Sequence, residues 1–142
     1  MTDVTGNAPS QDEQAGRALV ARTTFEKEAV WLPMLAVHHW NAGEMSIMGK
    51  TFTDCVIEGP AVIAVMTGTT FDSCAMGNAK DARTLLLRPV GDTISGVIGM
   101  GNCRFVRCRF VQIGYTGADD LLAALERDIS ATNAGMGVAP AG

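Results

Sequence analysis

A five-residue period in the large apolar side chains constrains the fold of this chain more than any other feature of its sequence. The period matches neither the 3.6 residues of a helical turn nor the two-residue alternation of a strand, so the backbone has to turn every few residues. We predict a solenoid whose sides are five residues long and carry two inward-pointing side chains each. The period is formed by Phe52, Ile57, Val62, Phe71, Met76, Met100, Phe105, Phe110 and Tyr115.

All four cysteines stand two residues before members of this period, where a small thiol leaves room for the large side chain on the same face. Three segments share the resulting pattern, x-x-Phe-x-x-Cys-x-apolar. They are Lys50–Ile57, Thr69–Met76 and Cys103–Phe110. Stacking of successive coils about 4.8 Å apart predicts that Phe52 lies over Phe71 and that Cys55 lies over Cys74. Glycine is expected at the corners between sides, because it adopts a positive φ without strain.

The pattern resembles that of the pentapeptide-repeat proteins, in which a small residue stands two positions before a central leucine or phenylalanine. The resemblance covers about half of the chain and is best over Ile98–Gly117. It implies a right-handed quadrilateral parallel β-helix, and a less regular right-handed β-helix with longer coils fits the same residues. Both give one predicted fold class: an all-β, small right-handed parallel β-helix (solenoid) with a C-terminal capping α-helix.

Composition divides the chain into five segments. The first residues are polar and the last are rich in glycine and alanine, which predicts disordered ends. The stretch after Gly117 has acidic residues in its first turn and an apolar stripe, which predicts a helix over one end of the solenoid. The predicted segments are a disordered tail at 1–16, an N-terminal capping segment at 17–44, β-helix coils at 45–117, a capping helix at 118–130 and a disordered tail at 131–142.

Composition also limits the classes of function. The net charge of −4 argues against a nucleic-acid binder, which needs a basic patch. No apolar run approaches the roughly 20 residues that span a bilayer, and the N-terminal residues do not resemble a signal peptide. We therefore predict a cytoplasmic protein with no membrane span, whose four cysteines stay reduced.

Residues with catalytic or metal-binding chemistry do not converge in the sequence. His38 and His39 are adjacent, and adjacent side chains of a strand point to opposite faces. The cysteines are expected to be buried, where a thiol is unreactive. The carboxylates considered for a catalytic pair are Asp54, Glu58, Asp72 and Asp81. Asp54 and Asp72 fall on outward positions, where a carboxylate is more simply a solvating residue. We predict no catalytic residues, no metal site and no cofactor, so that the protein is not an enzyme.

Two groups of residues are candidates for contacts with a partner. Trp31 and Trp40 bound the most apolar stretch outside the period, and exposed apolar patches mark interfaces. Pro33 argues against a continuous helix in that stretch. The second group lies between inward residues of the best-matching segment and faces outward, as either a solvated face or a docking strip for an acidic partner. It comprises Arg104, Arg107 and Arg109.

Three functions remain open on these residues. The first is a non-catalytic protein-interaction or assembly scaffold that associates with itself as a homo-oligomer. The second is implied by the resemblance: an acidic DNA mimic that acts on topoisomerase. The third is a small carbohydrate-active β-helix enzyme. We expect the first, because a net charge of −4 is small for a DNA mimic and a glycan enzyme needs a cleft with converging polar groups.

Overall fold

The computed structural model of the chain describes residues 11–135, which form short strands between three α-helices. A 3-10 helix at Ala82–Leu85 precedes the last strands. The elements are α1 (Gln11–Ala21), β1 (Thr24–Glu26), β2 (Ala29–Trp31), α2 (Leu32–Asn41), β3 (Ser46–Met48), β4 (Thr51–Thr53), β5 (Val56–Val65), β6 (Thr70–Asp72), β7 (Ile98–Gly101), β8 (Arg104–Val106), β9 (Arg109–Thr116) and α3 (Asp119–Gly135).

The strands of the described chain pair in parallel and form two sheets. The first sheet has the order β1-β4-β8-β6. The second has the order β2-β5-β7-β3, and β9 also pairs with β5. Strand β8 therefore lies between β4 and β6 although it follows both of them in the chain.

The predicted fold class, an all-β, small right-handed parallel β-helix, is wrong. The described residues form a mixed α/β structure in which three α-helices accompany parallel sheets, and no closed solenoid is present among them. In a solenoid each coil stacks on the one before it, so β6 should lie directly on β4. Insertion of β8 between them breaks that sequential order. The five-residue period reports which side chains point inward, and it does not fix the order in which the strands lie.

A ladder of four stacked phenylalanines forms the centre of the first sheet. The register pairs Phe25 with Phe52, Phe52 with Phe105, and Phe105 with Phe71. Ring centroids are 4.8, 4.8 and 5.2 Å apart along the ladder. The predicted contact of Phe52 with Phe71 is therefore replaced by two contacts through Phe105.

Three cysteines form a second row beside this ladder. Cys55 Sγ donates to the Phe25 carbonyl, Cys108 Sγ to the Phe52 carbonyl, at 3.3 Å each. Cys108 separates Cys55 from Cys74, so the predicted stacking of those two thiols is also wrong. All four cysteines, including Cys103, are free thiols.

The corner after each strand of the first sheet is formed by a residue in the left-handed region. These residues are Lys27, Asp54, Ser73 and Arg107, with φ between 50° and 60°. None is glycine, although glycine is the residue the sequence predicts at corners. Because the four strands are neighbours, their corners align, and this brings the side chains of Asp54 and Arg107 together across adjacent strands.

Helices α1 and α3 both extend across boundaries between the segments predicted from the sequence. The division between a tail at 1–16 and a cap at 17–44 falls inside α1. Helix α3 spans Asp119–Gly135, where the sequence predicts a helix over 118–130, and it buries Leu122, Leu125 and Ile129. The predicted tail at 131–142 thus begins inside α3. Residues 1–10 and 136–142 lie outside the described residues.

Candidate interaction surface

Helix α2 forms in the segment where Pro33 was expected to prevent a helix. Pro33 lies in the first turn, where a backbone N–H has no partner within the helix, so the proline costs no hydrogen bond. One side of α2 is buried through Leu32, Leu35 and Ala36. The helix is thereby fixed on the body of the protein with its other side facing outward.

The outward side of α2 is apolar and carries no charged residue. Met34, Val37 and Trp40 are exposed there, Trp40 with 46% of its surface accessible. The ten residues of α2 include no Asp, Glu, Lys or Arg. We call these three side chains the α2 face. A surface helix normally carries charged residues opposite its buried stripe, so the α2 face is unusual for a helix in contact with water.

Trp31 lies immediately before α2, on the outside of the second sheet. It is 53% exposed and pairs in register with Glu58 of β5, which pairs in turn with Val111 of β9. Because alternate residues of a strand share a face, the preceding row lies on the same side. That row consists of Ala29, Val56 and Arg109. We call these six residues the outer sheet face.

A groove of about 490 Å³ opens in the outer sheet face. Trp31, Glu58, Val111 and Gln112 border it, and Gly59 lies among them. The groove occurs where the pairing of β5 with β9 shifts register after Glu58. A Cβ atom at Gly59 would overlap the Gln112 carbonyl, so the two backbones approach as closely as they do because this residue is glycine.

The three arginines predicted to form one strip lie in three different places. Arg104 is exposed on β8 of the first sheet, and Arg109 is exposed on the outer sheet face. Arg107 lies at the corner between them and binds Asp54 through two hydrogen bonds of 2.9 and 3.1 Å. This guanidinium lowers the pKa of the Asp54 carboxyl, so Asp54 is held as the ionised partner of Arg107.

Two buried basic side chains hold the N-terminal helices in place. Lys50 is buried, and its ammonium group donates to the carbonyls of Val20, at 2.8 Å, and Arg22 at the end of α1. Burial lowers the pKa of Lys50. His39 of α2 is also buried and binds Glu44 through Nδ1, at 2.8 Å. Its Nε2 atom has no hydrogen-bond partner within the described residues.

Acid is expected to destabilise the protein through His39. Burial lowers the pKa of His39 from 6.5, and Lys50 adds to this effect while Glu44 opposes it. Between the folded and unfolded pKa values the unfolded chain binds more protons. The free energy of unfolding, measured by urea denaturation, should therefore fall as the pH drops below 6.5.

The substitution His39→Phe should flatten this dependence above about pH 5, where carboxylates are still ionised. The control His38→Gln should leave it unchanged. An equal slope in wild type and His39→Phe would contradict the assignment to His39.

The four cysteines have different surroundings, and they do not come together in a metal-binding or catalytic site among the described residues. Burial raises the pKa of Cys55 and of Cys103. The neighbouring thiol of Cys74, together with burial, raises the pKa of Cys108. Within residues 11–135, no three His, Cys, Asp or Glu side chains are placed to hold a metal ion together.

Comparison with known proteins found no relative of this chain. No family model, no curated protein and no solved structure matches the chain. The resemblance to pentapeptide-repeat proteins therefore rests on the five-residue period alone. In the described part of the chain, no helix has the length and apolar character needed to cross a membrane.

The sequence identified part of this surface. Trp31 and Trp40 are both exposed, as expected of interaction candidates, and they stand at opposite ends of α2. Val111 and Gln112 were missed, and Glu58 was considered only as a catalytic carboxylate, because these residues join Trp31 through the pairing of β2, β5 and β9. The alternation Arg109, Val111 on one strand was the available signal that an apolar and a basic side chain share a face.

Proposed function

We propose that this chain is a non-catalytic protein-interaction module that associates with a second copy of itself. The observation that carries the proposal is the exposed apolar surface formed by Trp31 and the α2 face. Exposed apolar patches of this kind mark sites of protein contact, and tryptophan is enriched among the residues that dominate binding energy.

Self-association is favoured because the α2 face carries no charge. A charge-free apolar surface offers no selectivity for a basic or an acidic partner, whereas it is complementary to another copy of itself. In a twofold dimer the same patch is contributed by both molecules. Helix α2 is about 15 Å long, so the area it buries alone is small, and the association is expected to depend on concentration.

A non-catalytic role is supported by the partners of the titratable groups. Asp54 is bound to Arg107, and Asp81 is bound to Arg83 with an Oδ2–Nη2 distance of 2.7 Å. Lys50 donates to backbone carbonyls. These contacts stabilise corners, a turn and a helix end, and the groove beside Trp31 contains one carboxylate, Glu58, rather than a pair.

The two alternatives derived from the sequence receive less support. An acidic DNA mimic needs a continuous acidic face, and several acidic side chains of the described chain are neutralised by arginines. These ion pairs are Arg22–Glu28, Arg83–Asp81, Arg88–Asp119 and Arg107–Asp54. A carbohydrate-active β-helix enzyme is tied to the fold class that the structure excludes.

Light scattering after size exclusion tests the proposal over a roughly hundredfold range of protein concentration. We expect the mass to rise toward that of a dimer. Trp31→Ser and Trp40→Ser should each weaken association by roughly tenfold or more, because each removes a large apolar contact. Val90→Ser is the control, since Val90 is fully exposed and lies outside α2 and the outer sheet face.

Far-UV circular dichroism of the three variants should match that of the wild type, because all three side chains are exposed. A wild-type mass that stays monomeric at every concentration would contradict self-association. An equal effect of Val90→Ser would show that the loss is not specific to the proposed surface.

A further inference from the structure

We propose that the second copy binds on the outer sheet face about a twofold axis, with Glu58 of each molecule opposite Arg109 of the other. This inference rests on the proposed self-association and adds the residues that orient it. Trp31 connects the two surfaces, because it belongs to the outer sheet face and directly precedes α2.

The first argument is that Glu58 and Arg109 are both exposed and both lack an ion-pair partner among residues 11–135. Two nearby arginines do have such partners: Arg22 binds Glu28, and Arg107 binds Asp54. Within the described residues Glu58 and Arg109 make no such contact, and the backbone N–H of Arg109 donates to the Cys55 carbonyl. The face therefore presents one free acidic and one free basic group on an otherwise apolar background.

Glu58 and Arg109 lie in different rows of the outer sheet face. Arg109 stands beside Val56, whereas Glu58 stands one row further along, beside Val111. Two residues along a strand span about 6.6 Å, and neighbouring strands are about 4.8 Å apart. The two charged groups are thus offset diagonally on one face, and the ion pairs among residues 11–135 include no contact between them.

A twofold axis would form the Glu58–Arg109 contact twice. A twofold interface places residue i against residue j and, at the same time, j against i. A face with one free carboxylate and one free guanidinium is complementary to itself under that operation, and the pair forms twice. A foreign partner would have to supply a base and an acid in the same diagonal arrangement, so the charges of this face favour a second copy.

The groove supplies the apolar part of the contact. Its borders include Trp31 and Val111, exposed by 53% and 40%. The twofold operation brings the groove of each molecule onto the outer sheet face of the other, which covers both side chains together. Aromatic side chains at the centre of an interface, with charged pairs at its edge, are the usual arrangement of specific contacts.

Charge reversal tests the pairing. Glu58→Arg and Arg109→Glu should each weaken association by about tenfold or more, because each sets like charges opposite one another twice. The double variant, Glu58→Arg with Arg109→Glu, should restore association to near the wild-type value. A mixture of the two single variants should form a mixed dimer, since one molecule then carries two bases and the other two acids.

The matched controls are Glu26→Arg and Arg104→Glu, which make the same charge changes on the first sheet. Both should associate like the wild type. Wild-type association should also weaken in high salt, because these charges are at the protein surface.

The outcomes separate this inference from the proposed function. If the wild type dimerises and Trp31→Ser weakens it, but both reversals leave association unchanged, self-association stands and the pairing of Glu58 with Arg109 is wrong. Loss in the single variants with no recovery in the double variant or in the mixture also overturns the pairing. A wild type that is monomeric at all concentrations overturns both the pairing and the proposed self-association.

Discussion

Phe105→Ala is expected to lower the free energy of unfolding by roughly 3–5 kcal/mol. The Phe105 ring is fully buried and stacks on Phe52 on one side and Phe71 on the other, with an edge contact to Phe110 at 5.1 Å. Removing it leaves a cavity in the middle of the ladder and takes away contacts on three sides. Since small domains are stable by about 5–15 kcal/mol, this loss is a large fraction of the total free energy of unfolding and should lower the urea midpoint clearly. Urea denaturation followed by circular dichroism measures the change.

Phe71→Ala is the matched control, because it removes the same ring from the end of the ladder. Phe71 is only partly buried and has one stacked neighbour, Phe105, besides edge contacts to Phe110 and Tyr115. Its loss should cost less than the loss of Phe105, because part of the Phe71 ring is already in contact with water. Equal costs would mean that the ladder is not centred on Phe105, and would contradict the position of β8 between β4 and β6.

The sequence was informative about which side chains are buried. Seven of the nine side chains that the five-residue period placed inward are buried, among them Phe52, Phe105 and Tyr115. The other two, Val62 and Phe71, are only half-buried. The prediction succeeds because the period follows from local geometry: a three-residue strand and a corner repeat every few residues, and each repeat turns the same positions inward. Such information does not depend on which strands are neighbours.

The five-residue period could not predict the order of the strands within a sheet. Phe52, Phe71 and Phe105 each occupy the third position of the same x-x-Phe-x-x-Cys pattern. Each of these rings can stack equally well on either of the other two. The pattern therefore cannot distinguish β8 from β6 as the neighbour of β4. Sequential stacking was the simplest assumption, and the structure inserts the later strand.

The N-terminal helices were missed for two separate reasons. The first half of helix α1 has a polar composition that predicts a disordered tail, and the second half was left open as a short helix or a strand. The helix is held by contacts from elsewhere: Lys50 bonds to its last turn, and Gly16 lies against the ring of His38 in α2. Helix α2 was missed because Pro33 was taken as an interruption, although a proline in the first turn is compatible with a helix. In α1 tertiary contacts outweigh local propensity, whereas in α2 the position of the proline agrees with it.

Only part of the candidate surface could be predicted from the sequence. A ten-residue apolar stretch without charges can bury only one side of a helix, so some of its large side chains have to be exposed; Trp40 is one of them. Glu58 and Arg109 are 51 residues apart and meet only through the pairing of β5 with β9. No local pattern could place them on one face.

Gly59→Ala is expected to disrupt both stability and self-association, because it acts on the floor of the groove. The new methyl group would overlap the carbonyl oxygen of Gln112 and crowd the amide nitrogen of Ala61, and both are backbone atoms. The strands on either side of the register shift are paired, so neither backbone can move away without loss of the β5–β9 ladder. We expect a loss of about 3 kcal/mol, at the upper end for an overpacked site.

Gly91→Ala is the control for this change, because a Cβ atom there meets nothing within 4 Å. Thermal denaturation should show a clear fall in Tm for Gly59→Ala and little or none for Gly91→Ala. At temperatures where the Gly59 variant is still folded, light scattering should show weakened association, because the movement of β9 against β5 displaces Val111 and Arg109 together. If that variant kept its stability but lost association, the strands would be free to separate at the bulge, and the groove would be shaped by flexible backbone. If it lost stability but associated normally when folded, the contact between copies would lie away from the outer sheet face, on the side of α2.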